Sequence, residues 1–237
     1  MPVRAVFFDL YNTIARFDPS REELQARAAT EFGISLTAEG VSRGYHTADA
    51  FFAATTSSRP IREMSGEEQE RFFSRYQQLI LEGAGHDVDL DTAGRMWHRV
   101  RSQRYGMKLF EDVIPTFDRL RADGRVVGVI SNYARRGAAI AEDLGFAGHA
   151  DFTVTSLEAG AQKPDPAIFR MALARAGVEA SGAVHVGDQI ESDVQGALAA
   201  GIRPVLIDRY GGHAGYRDHP RIERLDELPG VLAAMEA

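Results

Sequence analysis

The sequence predicts an α/β fold, a doubly wound parallel sheet interrupted near its start by an all-helical insertion. Three observations carry that prediction. The chain opens on an apolar run, Val3, Ala5, Val6, Phe7 and Phe8, broken only by Arg4, which reads as a strand buried on both faces of a parallel sheet. No convincing strand follows until about Lys108. From about Phe110 onward, short apolar runs alternate with helical patterns of about ten residues, the mark of βαβ units.

After Thr13 the pattern turns helical. Asp18-Pro19-Ser20 leads into Arg21-Glu22-Glu23, with Ser20 as N-cap and Glu23 completing a capping box. Leu24, Ala28 and Phe32 keep one face apolar, and Gly33 is the stop. Further helices are expected over 37–55, 65–82 and 90–104. Ser65-Gly66-Glu67-Glu68 is a second capping box, and Phe72, Phe73, Tyr76, Leu79 and Ile80 form a buried stripe. Thr56-Ser57-Ser58-Arg59-Pro60 and Gly83-Ala84-Gly85 break the pattern between helices. The later alternation gives helices over 115–123, 134–144, 166–176, 193–200 and 226–235, with strands over 125–130, 152–155, 183–186 and 204–207. Residues 1–16 and 109–237 thus form the expected α/β core, and residues 17–108 the helical insertion. Residues 211–215 read as a loop, with His213 as a surface residue.

Composition narrows the class. The 237 residues suffice for one large domain or a core with a smaller insert. Hydrophobic residues at 44% and charged residues at 26% are ordinary for a soluble globular chain. A net charge of −7 argues against a general nucleic-acid surface. The absence of cysteine excludes disulfides, thiolate catalysis and Cys-type zinc sites. No apolar run approaches the roughly 18 residues of a membrane span. The chain enters its first strand at once, with no signal peptide, so a cytoplasmic location is the default expectation.

Four stretches fall at predicted strand ends or in the loops beyond them: Asp9-Leu10-Tyr11-Asn12-Thr13; Ser131-Asn132; Lys163-Pro164-Asp165-Pro166; and Gly187-Asp188-Gln189-Ile190-Glu191-Ser192-Asp193. In open α/β sheets the working residues lie beyond the carboxyl ends of the strands. Two or three carboxylates suit Mg²⁺, which prefers hard oxygen donors. A Ser or Thr hydroxyl and a Lys ammonium suit a phosphoryl group. A carboxylate nucleophile beside a metal and a cation can form an acyl phosphate. Each stretch also has a plain structural reading: a turn, a loop, or carboxylates favoured by a helix N-terminus.

Together and in this order, these stretches resemble the haloacid dehalogenase-like (HAD) superfamily over the whole chain. Asp9-Leu10-Tyr11-Asn12-Thr13 stands as motif I, Ser131 as motif II, Lys163 as motif III and Gly187–Asp193 as motif IV. The resemblance implies a Rossmann-like core with a helical cap inserted after motif I. Asp9 would be the nucleophile. Asp9, the Tyr11 carbonyl and Asp188 would hold Mg²⁺, with Asp193 as ligand or supporting residue. Thr13, Ser131 and Lys163 would cradle the phosphoryl group, Asn132 would lie within the catalytic set, and Tyr11 and Asn12 would form the entry loop. The implied activity is Mg²⁺-dependent hydrolysis of a small phosphorylated metabolite, without nucleic acid or membrane as partner.

One position departs from the family's phosphatases. They carry D-x-D at motif I, the second Asp acting as acid and base, and Tyr11 stands there. A tyrosine, with its reference pKa near 10, is a poor base for water at pH 7. The superfamily's 2-haloacid dehalogenases have D-x-Y and work without Mg²⁺. They typically lose the motif IV acid pair and carry a Tyr six residues after the motif III Lys. This chain keeps Asp188 and Asp193 and has Phe169 at that place. Dehalogenation, and a binding or regulatory protein with little turnover, stand as the alternatives. The substrate and the oligomeric state are not written in the sequence. The cap would select the substrate, with Arg16, Arg43, Arg101 and Arg104 as possible contacts.

Overall fold

The apolar run at the N-terminus forms β1 (Ala5–Phe8), all four residues buried. The computed structural model to which it belongs describes residues 2–237. The chain divides into two compact units, Met1–Arg16 with Met107–Ala237, and Phe17–Gly106. After β1 comes a tight turn and then a short strand, β2 (Ala15–Asp18).

The unit Phe17–Gly106 is built from helices whose starts the capping residues fix. In α1 (Arg21–Thr30), the Glu23 amide donates to Ser20 Oγ and the Ser20 amide to Glu23 Oε2, satisfying two orphan donors at once. Thr37 caps α2 (Ala38–Ser58), which runs three residues past its expected end, and Ser65 with Glu68 caps α3 (Gly66–Gly83). Asp89 caps α4 (Leu90–Arg101), which stops three residues short of its expected end. Gly44 and Gly83 let α2 and α3 meet backbone to backbone: a Cβ on Gly44 would lie 2.1 Å from the Ile80 carbonyl oxygen. The aromatic stripe is core, with Phe72 stacked on Phe51 and Phe73 on Trp97. Buried Gln25 and Gln77 exchange hydrogen bonds of 2.7 and 2.9 Å, so neither amide is left unpaired.

The chain leaves this unit in β3 (Gly106–Leu109), which pairs with β2 in a two-stranded ribbon. This corrects two readings, that the chain turns helical directly after Thr13 and that no strand precedes Lys108. Ala15-Arg16-Phe17-Asp18 and Gly106-Met107-Lys108-Leu109 are each four residues long and partly exposed. Neither has the β-branched content or the length that marks a strand, and their partner is remote in sequence.

The remaining elements alternate. They are α5 (Val113–Ala122), β4 (Val126–Ser131), α6 (Gly137–Leu144), β5 (Phe152–Thr155), α7 (Ser156–Ala159), α8 (Pro166–Ala176), β6 (Ala183–Gly187), α9 (Gly196–Ala199), β7 (Arg203–Ile207), β8 (Arg221–Ile222) and α10 (Leu228–Glu236). Helix α5 starts two residues before its expected start, with Pro115 in its first turn, where a missing N–H costs nothing. Helix α6 starts three residues late. Helix α7, a single turn capped by Thr155 and Glu158, and the two-residue β8 were not expected. The helix expected over 193–200 starts three residues earlier, as a π-turn, Ile190–Gln195, and continues as a short α9. There the amides of Asp193 and Val194 both bond the Gln189 carbonyl, which widens the turn by one residue.

The six-stranded sheet has the order β5-β4-β1-β6-β7-β8, and every pair is parallel. The chain winds outward from β1 to β5, crosses back, and winds the other way from β6 to β8. The strand order therefore reverses between β1 and β6, where α/β sheets open a crevice. Phe8, Val129, Val186 and Phe117 pack on one face of the sheet, and Phe7, Ile130, Phe169 and Ala197 on the other. Covering on both faces is why the strands read as nearly continuous apolar runs. No helix among the described residues is long and apolar enough to cross a membrane.

Candidate active site

Asp9 is the first residue beyond β1. Its amide donates to the Val186 carbonyl across the reversal point, and it is 7% exposed. The chain then folds back on itself: the amides of Ile14 and Ala15 both donate to the Leu10 carbonyl, and the Asn12 amide donates to the Ala15 carbonyl. Asn12 sits at the corner with φ +59°, the left-handed region that Asn tolerates. Tyr11 lies in the same turn, half-buried, its backbone bridged to Ala15. Thr13 is fully buried, and its Oγ1 has no hydrogen-bond partner among the described residues. Ser131 closes the neighbouring strand β4 and is also buried.

Lys163 lies in the loop before α8 and is 4% exposed. Its Nζ donates to Asp9 Oδ1 and, at 2.6 Å, to Asp193 Oδ1. The Asn132 side chain holds the lysine's backbone from both sides: the Lys163 amide donates to Asn132 Oδ1 at 2.7 Å, and Asn132 Nδ2 donates to the Lys163 carbonyl at 2.9 Å. Asn132 thus positions Lys163, its amide spent on that backbone.

Asp188 and Asp193 come from β6 and the π-turn. The widened turn brings the Asp193 carboxylate back over the end of β6, where its Oδ2 accepts from the Gln189 amide at 3.0 Å. A Cβ on Gly187 would lie 2.2 Å from Asp193 Cγ, so only glycine fits there. Asp9, Asp188 and Asp193 each place a carboxylate oxygen within 4.8 Å of the others.

A family model described as haloacid dehalogenase-like hydrolase matches residues 3–201. The chain belongs to the haloacid dehalogenase-like hydrolase family. A relative from Danio rerio, named haloacid dehalogenase-like hydrolase domain-containing protein 3, is 31% identical over 98% of this chain and 97% of its own length. A protein of Halopiger xanaduensis named ribulose-1,5-bisphosphate 5-phosphatase is 29% identical, covering 86% of this chain and 84% of its own. Among solved structures, one described as a 2-haloacid dehalogenase of Pseudomonas syringae aligns at TM-score 0.57 with 29% identity, over 98% of this chain and 99% of that one.

In this HAD hydrolase the site's electrostatics are set by crowding. Burial pushes the Asp9 carboxyl up to about 6, with the Lys163 charge opposing and Asp193 adding to the rise. Burial, then Asp9 and Asp193, push Asp188 well above the usual carboxylate range, against Lys163 and a hydrogen bond from Asn12. Burial works to raise Asp193 as well, but Lys163 and the hydrogen bond from His185 outweigh it and hold it below the usual range. Lys163 is buried too, yet Asp193 and Asp9 keep its pKa above the ordinary lysine value, so it is a cation. Fully ionised, three carboxylates against one ammonium would carry two negative charges in excess. The upward shifts of Asp9 and Asp188 express that crowding, and a divalent cation with oxygen preference would relieve it.

Two residues of the site were not among those predicted. His185 Nε2 stands 2.9 Å from Asp193 Oδ1, and burial lowers the histidine's pKa. A carboxylate only accepts, so neutral His185 donates from Nε2. Its Nδ1 is buried without a partner among the described residues. The available signal was an ionisable residue in the middle of the apolar strand Ala183-Val184-His185-Val186-Gly187. The second, Arg209, gave no signal in its loop.

Proposed function

We propose that this HAD hydrolase is a Mg²⁺-dependent phosphatase acting on a small phosphorylated metabolite through a phospho-aspartate at Asp9. The observation that carries the reading is the carboxylate cluster, three carboxylate oxygens within 4.8 Å of one another, beside a buried lysine and a buried hydroxyl that has no partner among the described residues. Asp9 and Asp188 would hold the metal, with the Tyr11 carbonyl beside them. Asp193, with both oxygens bonded to neighbours, would hold Lys163 in place. Bound Mg²⁺ would supply positive charge opposite the transferring phosphoryl oxygens. Lys163 keeps Asp9 deprotonated and adds its own charge to the cradle. The Thr13 and Ser131 hydroxyls donate to phosphoryl oxygens, which gives the Thr13 hydroxyl the partner it otherwise lacks. Asp9 attacks phosphorus, the leaving oxygen departs, and water then releases phosphate from the acyl phosphate. A cytoplasmic setting agrees with this reading.

Purified protein assayed on phosphate esters and on 2-haloacids, with Mg²⁺ and with EDTA, tests it. Phosphate release in Mg²⁺ and none in EDTA is expected. Asp188→Asn should weaken Mg²⁺ binding by at least the roughly 10–100-fold that losing even an outer-shell partner costs. Halide release that survives EDTA would establish the dehalogenase chemistry that Tyr11 and the P. syringae relative favour.

Tyr11 shapes the kinetics. A carboxylate at its position would protonate the leaving oxygen and then deprotonate water, each role typically worth about 10²–10⁴-fold. A phenol can donate but is a poor base at pH 7. Leaving groups that depart as anions should therefore react fastest, and the phospho-enzyme should accumulate. Rapid-quench assays with an activated aryl phosphate should show a burst followed by a slow steady state. Tyr11→Asp should raise the steady-state rate and extend it to alkyl phosphates. Fast wild-type turnover of an alkyl phosphate without a burst would give the base role to another group.

A further inference from the structure

Arg209 stands two residues beyond β7, and no motif includes it. Its guanidinium makes a two-pronged pair with Asp112 at 2.9 and 3.0 Å, the two side chains 6% and 4% exposed. Its Nε donates to the Thr13 carbonyl at 2.9 Å. The guanidinium also lies over the Phe110 ring, 3.9 Å from its centre, and the Phe110 amide donates to the Ile14 carbonyl. Two successive carbonyls of the turn after β1, those of Thr13 and Ile14, are thus tied to one point. Asp112, at the start of α5, is fixed in turn by the Leu225 amide.

A buried ion pair of this kind adds little net stability over apolar residues of similar size. What it supplies is direction. Only a planar fork can meet a carboxylate with two donors and a carbonyl with a third, and a lysine in its place keeps the charge and loses the fork. The atom that gains from a fixed Thr13 backbone is Thr13 Oγ1, buried and without a partner among the described residues.

We propose that Arg209 is a positioning residue: through the Thr13 carbonyl it holds the Thr13 hydroxyl in the phosphoryl cradle. The proposal rests on the phosphatase reading for what that hydroxyl binds. The test compares wild type, Arg209→Lys, Asp112→Asn, Thr13→Ala and the double variant Arg209→Lys/Thr13→Ala. The measurements are kcat and KM with p-nitrophenyl phosphate in Mg²⁺, and hydrogen exchange across residues 9–15. Arg209→Lys should lower kcat/KM about tenfold, and Asp112→Asn by a similar factor. In the Thr13→Ala background the Arg209 substitution should cost about twofold or less, because residues that act through one another are not additive. The amides of Asn12, Ile14 and Ala15 should exchange faster in both single variants, while those of β5 stay protected.

A full tenfold loss repeated in the Thr13→Ala background would overturn the proposal, as would unchanged exchange across 9–15. If Arg209→Lys does not fold, Asp112→Asn decides by the same measurements. If wild type hydrolyses no phosphate ester, the phosphatase reading fails, and exchange alone decides whether Arg209 holds the turn. If wild type is active and Arg209→Lys matches it, the phosphatase reading stands and the role of Arg209 falls.

Discussion

Asp9→Asn should abolish turnover, by roughly 10⁴-fold or more, while leaving the folded protein no less stable. The first half follows from the proposed chemistry. An amide oxygen does not form the acyl phosphate, and losing a nucleophile removes nearly all the rate that the catalytic group supplies together. The second half follows from the site itself. Asp9 is buried within reach of two other carboxylates, and its own carboxyl is pushed up to about 6. A nearly isosteric amide removes that charge and still offers Lys163 an acceptor oxygen. Wild type and variant compared by kcat and by thermal midpoint in EDTA give the answer. The midpoint should hold or rise as activity vanishes, the pattern of a site that trades stability for function. Activity within tenfold of wild type would take the nucleophile's role away from Asp9.

Lys163→Met should cost about 3–5 kcal/mol of stability, the range for breaking a buried pair by removing one partner. Methionine fills a similar volume, so the loss is electrostatic and not a cavity. It would leave Asp9 and Asp193 facing each other without the ammonium that now bonds both. Urea denaturation of the metal-free proteins reads the difference. Adding Asp193→Asn to the variant should recover part of it, because one of the stranded charges is gone. A loss under about 1 kcal/mol, the worth of an exposed ion pair, would mean that water reaches the cluster and that crowding does not govern the site.

Much of this architecture was legible in the sequence because local physics and global fold agree there. Val3 to Phe8 is apolar because both faces of β1 are covered, and Ser20 with Glu23 caps a helix wherever that helix packs. Asp9, Lys163, Asp188 and Asp193 were identified as a group, and the sheet brings them together at its reversal point. What stayed hidden depends on partners distant along the chain. The ribbon of β2 and β3 joins segments about ninety residues apart, and each is too short to declare itself. Asn132 could be placed near the chemistry, but nothing local says that its amide grips the backbone of a residue 31 positions later. Arg209 reads as an ordinary loop arginine until Asp112 and Thr13 are set beside it. Ile190–Gln195 has the composition of an ordinary helix start, and the π-turn found there goes with Asp193 bonds to Lys163 and His185 that no local pattern announces.

That π-turn makes spacing as much a requirement as residue identity. One carbonyl, that of Gln189, serves two successive amides because the turn holds one residue more than an α-helical turn would. Removing one of Ile190, Glu191 or Ser192 should let the backbone relax into a regular helix, and should swing whatever follows by about 100° around the axis. Asp193 would then point away from the lysine even with every side chain of the site intact. The segment therefore tolerates exchange at solvent-facing letters such as Glu191 far better than any change of length. An insertion or deletion there is the alteration that point-by-point comparison of residues would fail to see.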